Sequence, residues 1–137
     1  MGRGGNVLTI TMAVICLFVT VTVLDAFDEK QFQALKKTNN CKKCDLSGAK
    51  LNNLDMSYAD ISSANLSGAD LSNSTFYSAN LAGTNLTGAN LTGANLYDAN
   101  LTGANVSKAN LAKANLYNAT WINGKQCKTG SVGECKQ

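Results

Sequence analysis

From Leu46 to Trp121 every fifth residue of this chain is apolar: Leu46, Leu51, Met56, Ile61 and so on, without an insertion. Two places before each stands Ala, with few exceptions, and Asn or Asp fills most of the positions between. Ser, Thr, Gly or Tyr follow. Sixteen such units run from Cys44 to Asn123. A fixed period sustained that far marks a stacked repeat rather than an ordinary globular core. Neither regular element can use it. On a helix each step of five advances about 500°, so the leucines drift by ~140° and form no stripe. On a strand, whose period is two, successive leucines point to opposite faces. Turn-forming residues in every unit point instead to a corner every few residues. A chain that turns a right angle per unit returns to its starting side after four units and keeps each central residue inside a square coil.

The motif A(D/N)LXX, matched by these consecutive units, resembles the signature of the pentapeptide-repeat family. The resemblance implies an all-β fold, a right-handed quadrilateral parallel β-helix of about four coils with the central Leu and the preceding Ala inward. Coils then pair through backbone hydrogen bonds at ~4.8 Å, so the rod stands about 20 Å tall. Residues twenty apart fall into columns, such as Leu46, Leu66, Leu86, Val106 and Met56, Phe76, Leu96, Leu116. Leu54 breaks the Ala rule where the next coil places the small Ser74, which reads as compensating volume. Asn80 and Asn100 belong to an outward ladder. Sequons such as those at Asn85 and Asn90 are generated by the repeat itself and argue nothing about glycosylation. The ends of a stack expose unpaired backbone and need covering. Residues 28–38, DEKQFQALKKT, read as a short N-terminal capping helix with acids first and lysines last. Its Phe32 and Leu35 are placed to cover the first coil, and Trp121 and Ile122 close the far end.

Met1 to Asn6 carries Arg3 and no acid, Val7 to Leu24 is uncharged, and Ala26 follows Asp25. That order reads as a secretory signal, with cleavage expected near Ala26 and a periplasmic or extracellular destination. The alternative is an uncleaved anchor over residues 7–24, which would be the chain's membrane contact. The chain thus divides into a leader (1–26), an N-terminal cap (27–43), the repeat (44–123) and a cysteine-bracketed tail (124–137). Without the leader, eleven Lys face eight acids, and neither Arg nor His remains. Missing His removes the commonest acid/base group and metal ligand. Missing Arg removes the side chain best suited to forked phosphate recognition. This composition leans away from enzymes, and a charge of +3 is too weak to argue for nucleic acid.

Four cysteines follow the leader, and an even number in a small exported protein suggests disulfides with three alternative pairings. The implied stack height decides among them. Bridged Cα atoms lie within about 7 Å, so Cys41 pairs with Cys44 and Cys127 with Cys135. The same separation argues against a four-cysteine zinc site, and no cofactor is expected. The tail GKQCKTGSVGEC and the CxxC before the repeat also resemble an exported subgroup of the family.

Several groups are candidate sites. Tyr77, Tyr97 and Tyr117, spaced by twenty, form one outward ladder that is either a stacking platform for a sugar or protein, or a self-stacking stabiliser. Lys36, Lys37, Lys42 and Lys43 crowd the N-terminal cap, as an anionic-surface patch or a solvated face. Cys41-Lys-Lys-Cys44 has redox-motif spacing, yet Cys44 holds an inward Ala position. Asp45, Asp55, Asp60 and Asp70 point outward on different faces, so no catalytic carboxylate pair is expected. The leading reading is a non-catalytic exported scaffold or interaction protein; the alternative is thiol–disulfide exchange at Cys41 and Cys44. The resemblance also raises DNA mimicry toward topoisomerases, a mode of long, acidic, dimeric rods that this short, slightly basic chain does not match.

Overall fold

The computed structural model describes residues 28–137, so the expected leader over 1–26 and the anchor over 7–24 lie outside the described residues. Among the described residues, no helix is long and apolar enough to cross a membrane.

The repeat winds with twenty residues per coil. Parallel bridges join every fifth residue to its counterpart twenty on, from Asn40↔Asp60 to Asn100↔Thr120. Each coil therefore consists of four five-residue units, and the fold is a parallel β-helix built of single bridges rather than long strands. A unit bonds its neighbours in three places, as at Leu66. The Leu66 N–H donates to Asn85 O at 2.8 Å, the Gly68 N–H to Thr87 O at 2.9 Å, and the Asn65 N–H to Cys44 O at 2.8 Å. Inside, Leu46, Leu51, Leu71, Phe76, Leu86 and Leu96 are fully buried, with Ala49, Ala94 and Ala99 between them.

Each corner depends on one backbone conformation. The second residue after every central residue, from Lys43 to Asn118, has φ between 52° and 69°. That left-handed region disfavours Cβ, which is why Gly, Asn, Asp and Ser hold most of these positions. The first coil starts one unit earlier than the expected boundary at Cys44. Cys41 is in phase with Leu46, is 2 % exposed, and heads the column Ile61, Leu81, Leu101, Trp121, while Asn40 opens the bridge ladder.

Leu54 and Ser74 do more than balance volume. In neighbouring units the residue at the Ala position donates its N–H to the preceding central carbonyl, as Ala49 does to Leu46 O at 3.2 Å. At Leu54 the buried Ser74 hydroxyl stands between these groups, accepting from the Leu54 N–H at 3.1 Å and donating to Leu51 O at 2.5 Å. Ser74 thus keeps two backbone groups satisfied where the bulk of Leu54 has opened the turn.

Helix α1 spans Glu29–Thr38. The Asp28 carboxylate accepts from the Lys30 N–H at 2.9 Å, an N-cap, and Asn39 ends the helix in left-handed conformation. Leu35 is buried and Phe32 half-buried in the apolar cluster of the first coil. The Asp28 N–H donates to Asp45 O at 3.2 Å, and the Asp45 N–H donates to Gln31 Oε1 at 2.7 Å. At the other end the chain turns at Gly124, φ 78°, and runs back. Antiparallel bridges Thr120↔Gln126 and Asn115↔Val132 lay it over the sides of the last coil that carry Trp121 and Leu116.

Candidate functional site

Leu, Ala and Phe side chains fill the inside of the coil, so function must reside on its outer faces or at its ends. The residue before the central position points outward and, where it is Asn with another acceptor twenty residues earlier, does two jobs. Asn85 Oδ1 accepts from the Thr87 N–H at 3.1 Å and the Thr87 hydroxyl at 2.6 Å, closing the corner. Asn85 Nδ2 meanwhile donates to Asn65 Oδ1 at 3.2 Å, and Asn65 Nδ2 to Asp45 Oδ1 at 3.1 Å. The Asn-X-Thr pattern is thus a corner bond, and its amide is committed to a ladder.

These ladders have a polarity. Their amides donate toward the N-terminal coil, and three of them end on a carboxylate: Asp45 beneath Asn65, Asp60 beneath Asn80, Asp70 beneath Asn90. A foot residue needs only to accept, and an ionised carboxylate accepts best. This accounts for Asp45, Asp60 and Asp70, whose role was not evident from sequence, while Asp55 lies beneath Thr75 and bonds only its own corner at Ser57. In the twenty-residue register Asp45, Asp55, Asp60 and Asp70 each fall on a different side of the coil, so they form no catalytic pair.

The Asp70 carboxyl is held below its ordinary range, first by the Ser72 hydroxyl at 2.7 Å, then by the Ser72 N–H and less by Asn90 and Lys50, against an opposing effect of burial. A depressed folded pKa gives stability that is complete above the unfolded value, about 3.9, and is lost as pH falls through the lower folded value. Asp55, held down by Ser57, acts in the same direction. Acid unfolding followed by circular dichroism is therefore expected to be shallower below about pH 4 in Asp70→Asn, which keeps an acceptor at the ladder foot.

The tyrosine ladder exists and is longer than its spacing implied. Tyr77 and Tyr97 are parallel within 8° at 5.4 Å between centroids, and Tyr117 meets Tyr97 edge-on at 5.4 Å. Tyr58, out of phase by one residue, adds a fourth ring edge-on to Tyr77 at 5.5 Å. Its corner position had hidden it. Two parallel rings that close have faces turned toward each other, so Tyr77 and Tyr97 do not lie flat as a sugar platform. The more exposed rings are the outer ones, Tyr58 at 69 % and Tyr117 at 40 %. Tyr97 has a ring on both sides, each pair worth about 0.5–1.5 kcal/mol. Urea unfolding of Tyr97→Ala is expected to show a loss of about 1–3 kcal/mol, roughly twice that of Tyr117→Ala.

The lysine cluster is divided. Lys36 and Lys37 lie in the last turn of α1, with Lys36 Nζ 4.8 Å from the Phe32 ring centroid. Lys42 and Lys43 are exposed at the first corner, between the cysteines. The cysteines pair at both ends: Cα atoms are 5.3 Å apart for Cys41–Cys44 and 5.1 Å for Cys127–Cys135, with sulfurs at bonding distance. Cys41 and Cys127 are almost fully buried, while their partners Cys44 and Cys135, Cys44 at the position expected to face inward, are only half-buried, so an external thiolate is shut out from one sulfur of each pair. Among the described residues, no group of three or more His, Cys, Asp or Glu is placed to hold a metal ion.

The family model described as pentapeptide repeats matches the chain in eight copies, over residues 40–76, 55–93 and 94–120. A pentapeptide repeat protein from the thylakoid lumen of Arabidopsis thaliana is 36 % identical over 55 % of this chain and 52 % of its own, with a TM-score of 0.54. This chain therefore spans about half the length of that relative. The pentapeptide repeat protein Rfr23 from the cyanobacterium Cyanothece 51142 is 26 % identical over 76 % of this chain and 97 % of its own, with a TM-score of 0.53. No curated protein matches. With the repeat model spanning more than half of its length and the twenty-residue coil running through the same residues, the chain belongs to the pentapeptide repeat family.

Proposed function

We propose that this chain is an exported, non-catalytic scaffold: a stack of about four coils, capped by α1 at one end and by the cysteine-bracketed tail at the other, that acts by presenting fixed side chains to a partner protein or glycan. The observation that carries this reading is the placement of a cysteine pair at each end of the coil, both at bonding distance. Disulfides persist in oxidising compartments, and in this chain they would pin the two ends that a stack must close. In the chain-entropy view the wider Cys127–Cys135 loop contributes about 2.5 kcal/mol. The uncharged run before Asp25 supplies the export signal. A similar protein comes from a lumen. The exported subgroup with a CxxC before its repeat belongs to this same reading.

The test is the intact mass of the protein from fractions of its native host, with thiols alkylated before and after reduction. A chain beginning near Phe27, outside the cytoplasm and without free thiol before reduction, is the expected result. A full-length chain held in the membrane would make the prism an anchored one. Mixed-state thiols confined to Cys41 and Cys44 would replace the scaffold with thiol–disulfide exchange.

A further inference from the structure

Among the described residues the tail pairs along two sides of the last coil and reaches a third only at Gly133, which lies against the Leu111 carbonyl and the Lys113 amide, so most of Ala104 to Lys113 ends without a covering layer. Elsewhere in the stack the corresponding groups are paired. The Leu86 N–H donates to Asn105 O and the Gly88 N–H to Ser107 O, while the Thr84 carbonyl accepts from the Asn105 N–H of the next coil. Among the described residues, the N–H groups of Val106, Lys108 and Leu111 and the carbonyls of Ala104 and Ala109 on the last coil have no such backbone partner. Val106, Ala109 and Leu111 are only half-buried, whereas the residues below them, Leu86, Ala89 and Leu91, are 0–1 % exposed. This is a sheet edge with an apolar floor, two units long.

Its charge selects an occupant. Residues 99–137 carry five lysines against Glu134 alone, residues 28–50 carry six lysines against three acids, and residues 51–98 carry four aspartates and no lysine. Both ends are thus basic around an acidic waist, and a second copy would meet this edge with like charge whichever end it offered. Lysine is also a poor choice for a left-handed corner, yet it holds that position at Lys108 and Lys113, the two corners of the open edge, and otherwise only at Lys43 in the first coil. We propose that the edge Ala104–Lys113 is a docking site for an extended acidic segment of a partner protein. Resting on the scaffold reading above, it names that scaffold's contact. The segment adds as one further layer, pairing with the free backbone groups, covering Val106, Ala109 and Leu111, and placing carboxylates beside Lys108 and Lys113.

The test uses the full chain and a labelled, end-capped peptide of alternating Asp and Val, two repeat units long, read by fluorescence anisotropy. Saturable binding is expected, weakened about tenfold or more by Lys108→Glu with Lys113→Glu and unchanged by Lys36→Glu with Lys37→Glu. The same peptide N-methylated at alternate residues keeps its charge but cannot pair its backbone, and is expected to lose binding. Absence of saturable binding would overturn the proposal. So would equal binding of the N-methylated peptide, or equal weakening by the two lysine pairs, since either reduces the effect to bulk charge. None of these results bears on export or on the thiols, which are read by mass.

Discussion

Deleting Gly88 alone is expected to destroy folding of everything beyond it, whereas deleting the twenty residues 81–100 leaves a shorter folded stack. The difference follows from the register. The bridges join each residue to one twenty away, so a single deletion moves every later residue one place off its column. Leu91, Leu96, Leu101, Leu111 and Leu116 would leave the interior. At about 1.5–3 kcal/mol each, their exposure is of the same size as the whole stability expected of a small domain. The corner at Gly88 has no spare residue to absorb the shift, because the Asn85 side chain, the Thr87 hydroxyl and the left-handed residue all act within one unit. Removal of 81–100 joins Asn80 to Leu101, and Leu101 then takes the place of Leu81 in the same column. Circular dichroism and limited proteolysis of the two deletions read this directly. A point deletion as stable as the parent would contradict the register.

Phe76→Ala is expected to cost about 3–5 kcal/mol in urea unfolding, the largest loss from any single side chain in the interior. Phe76 is fully buried in the column Met56, Phe76, Leu96, Leu116. The coils above and below are fixed to it by backbone bonds, including the Phe76 N–H to Asn95 O at 2.7 Å. Walls held in this way cannot collapse far into the space left behind, so most of the cavity remains. Val106→Ala makes the contrast. Val106 is half-buried at the open edge, where its lost methyl groups leave no closed cavity, and about 1 kcal/mol or less is expected. Similar losses at both positions would mean that the last coil is covered after all.

The interior was legible in the sequence because packing constrains it directly. The five-residue phase set the columns, the Leu54–Ser74 exchange marked their register, and the separation of the cysteines set their pairing once the family's stack was taken as given. What escaped was set by hydrogen bonding and backbone conformation, which leave a fainter trace. Cys41 shares the phase of Leu46, but a polar neighbourhood of lysines hid the first unit. The left-handed corner was written in the fifth residue of every unit, where Gly, Asn and Ser recur, yet Tyr58 at such a corner breaks that pattern and joins the aromatic ladder from the wrong phase. Asp45, Asp60 and Asp70 looked like scattered surface charge until the amide ladders above them were traced. The Ser74 hydroxyl looked like mere smallness. The reversal of the tail, which leaves the open edge, depends on Gly124 and a loop closed by two cysteines, and no period announces it. Outward positions tolerate many residues, so the periodicity that explains the fold is silent about the partner.

Residue-resolved hydrogen exchange of the folded chain tests the stacked-coil architecture most directly. Amides of Leu66, Gly68, Leu86 and Gly88 bond to the next coil and are expected to exchange slowly, while those of Val106, Lys108 and Leu111, the same kinds of position on the open edge, exchange fast. Protection without a five-residue alternation, or equal protection of Val106 and Leu86, would contradict a coil that is closed along its length and open over half of its last turn.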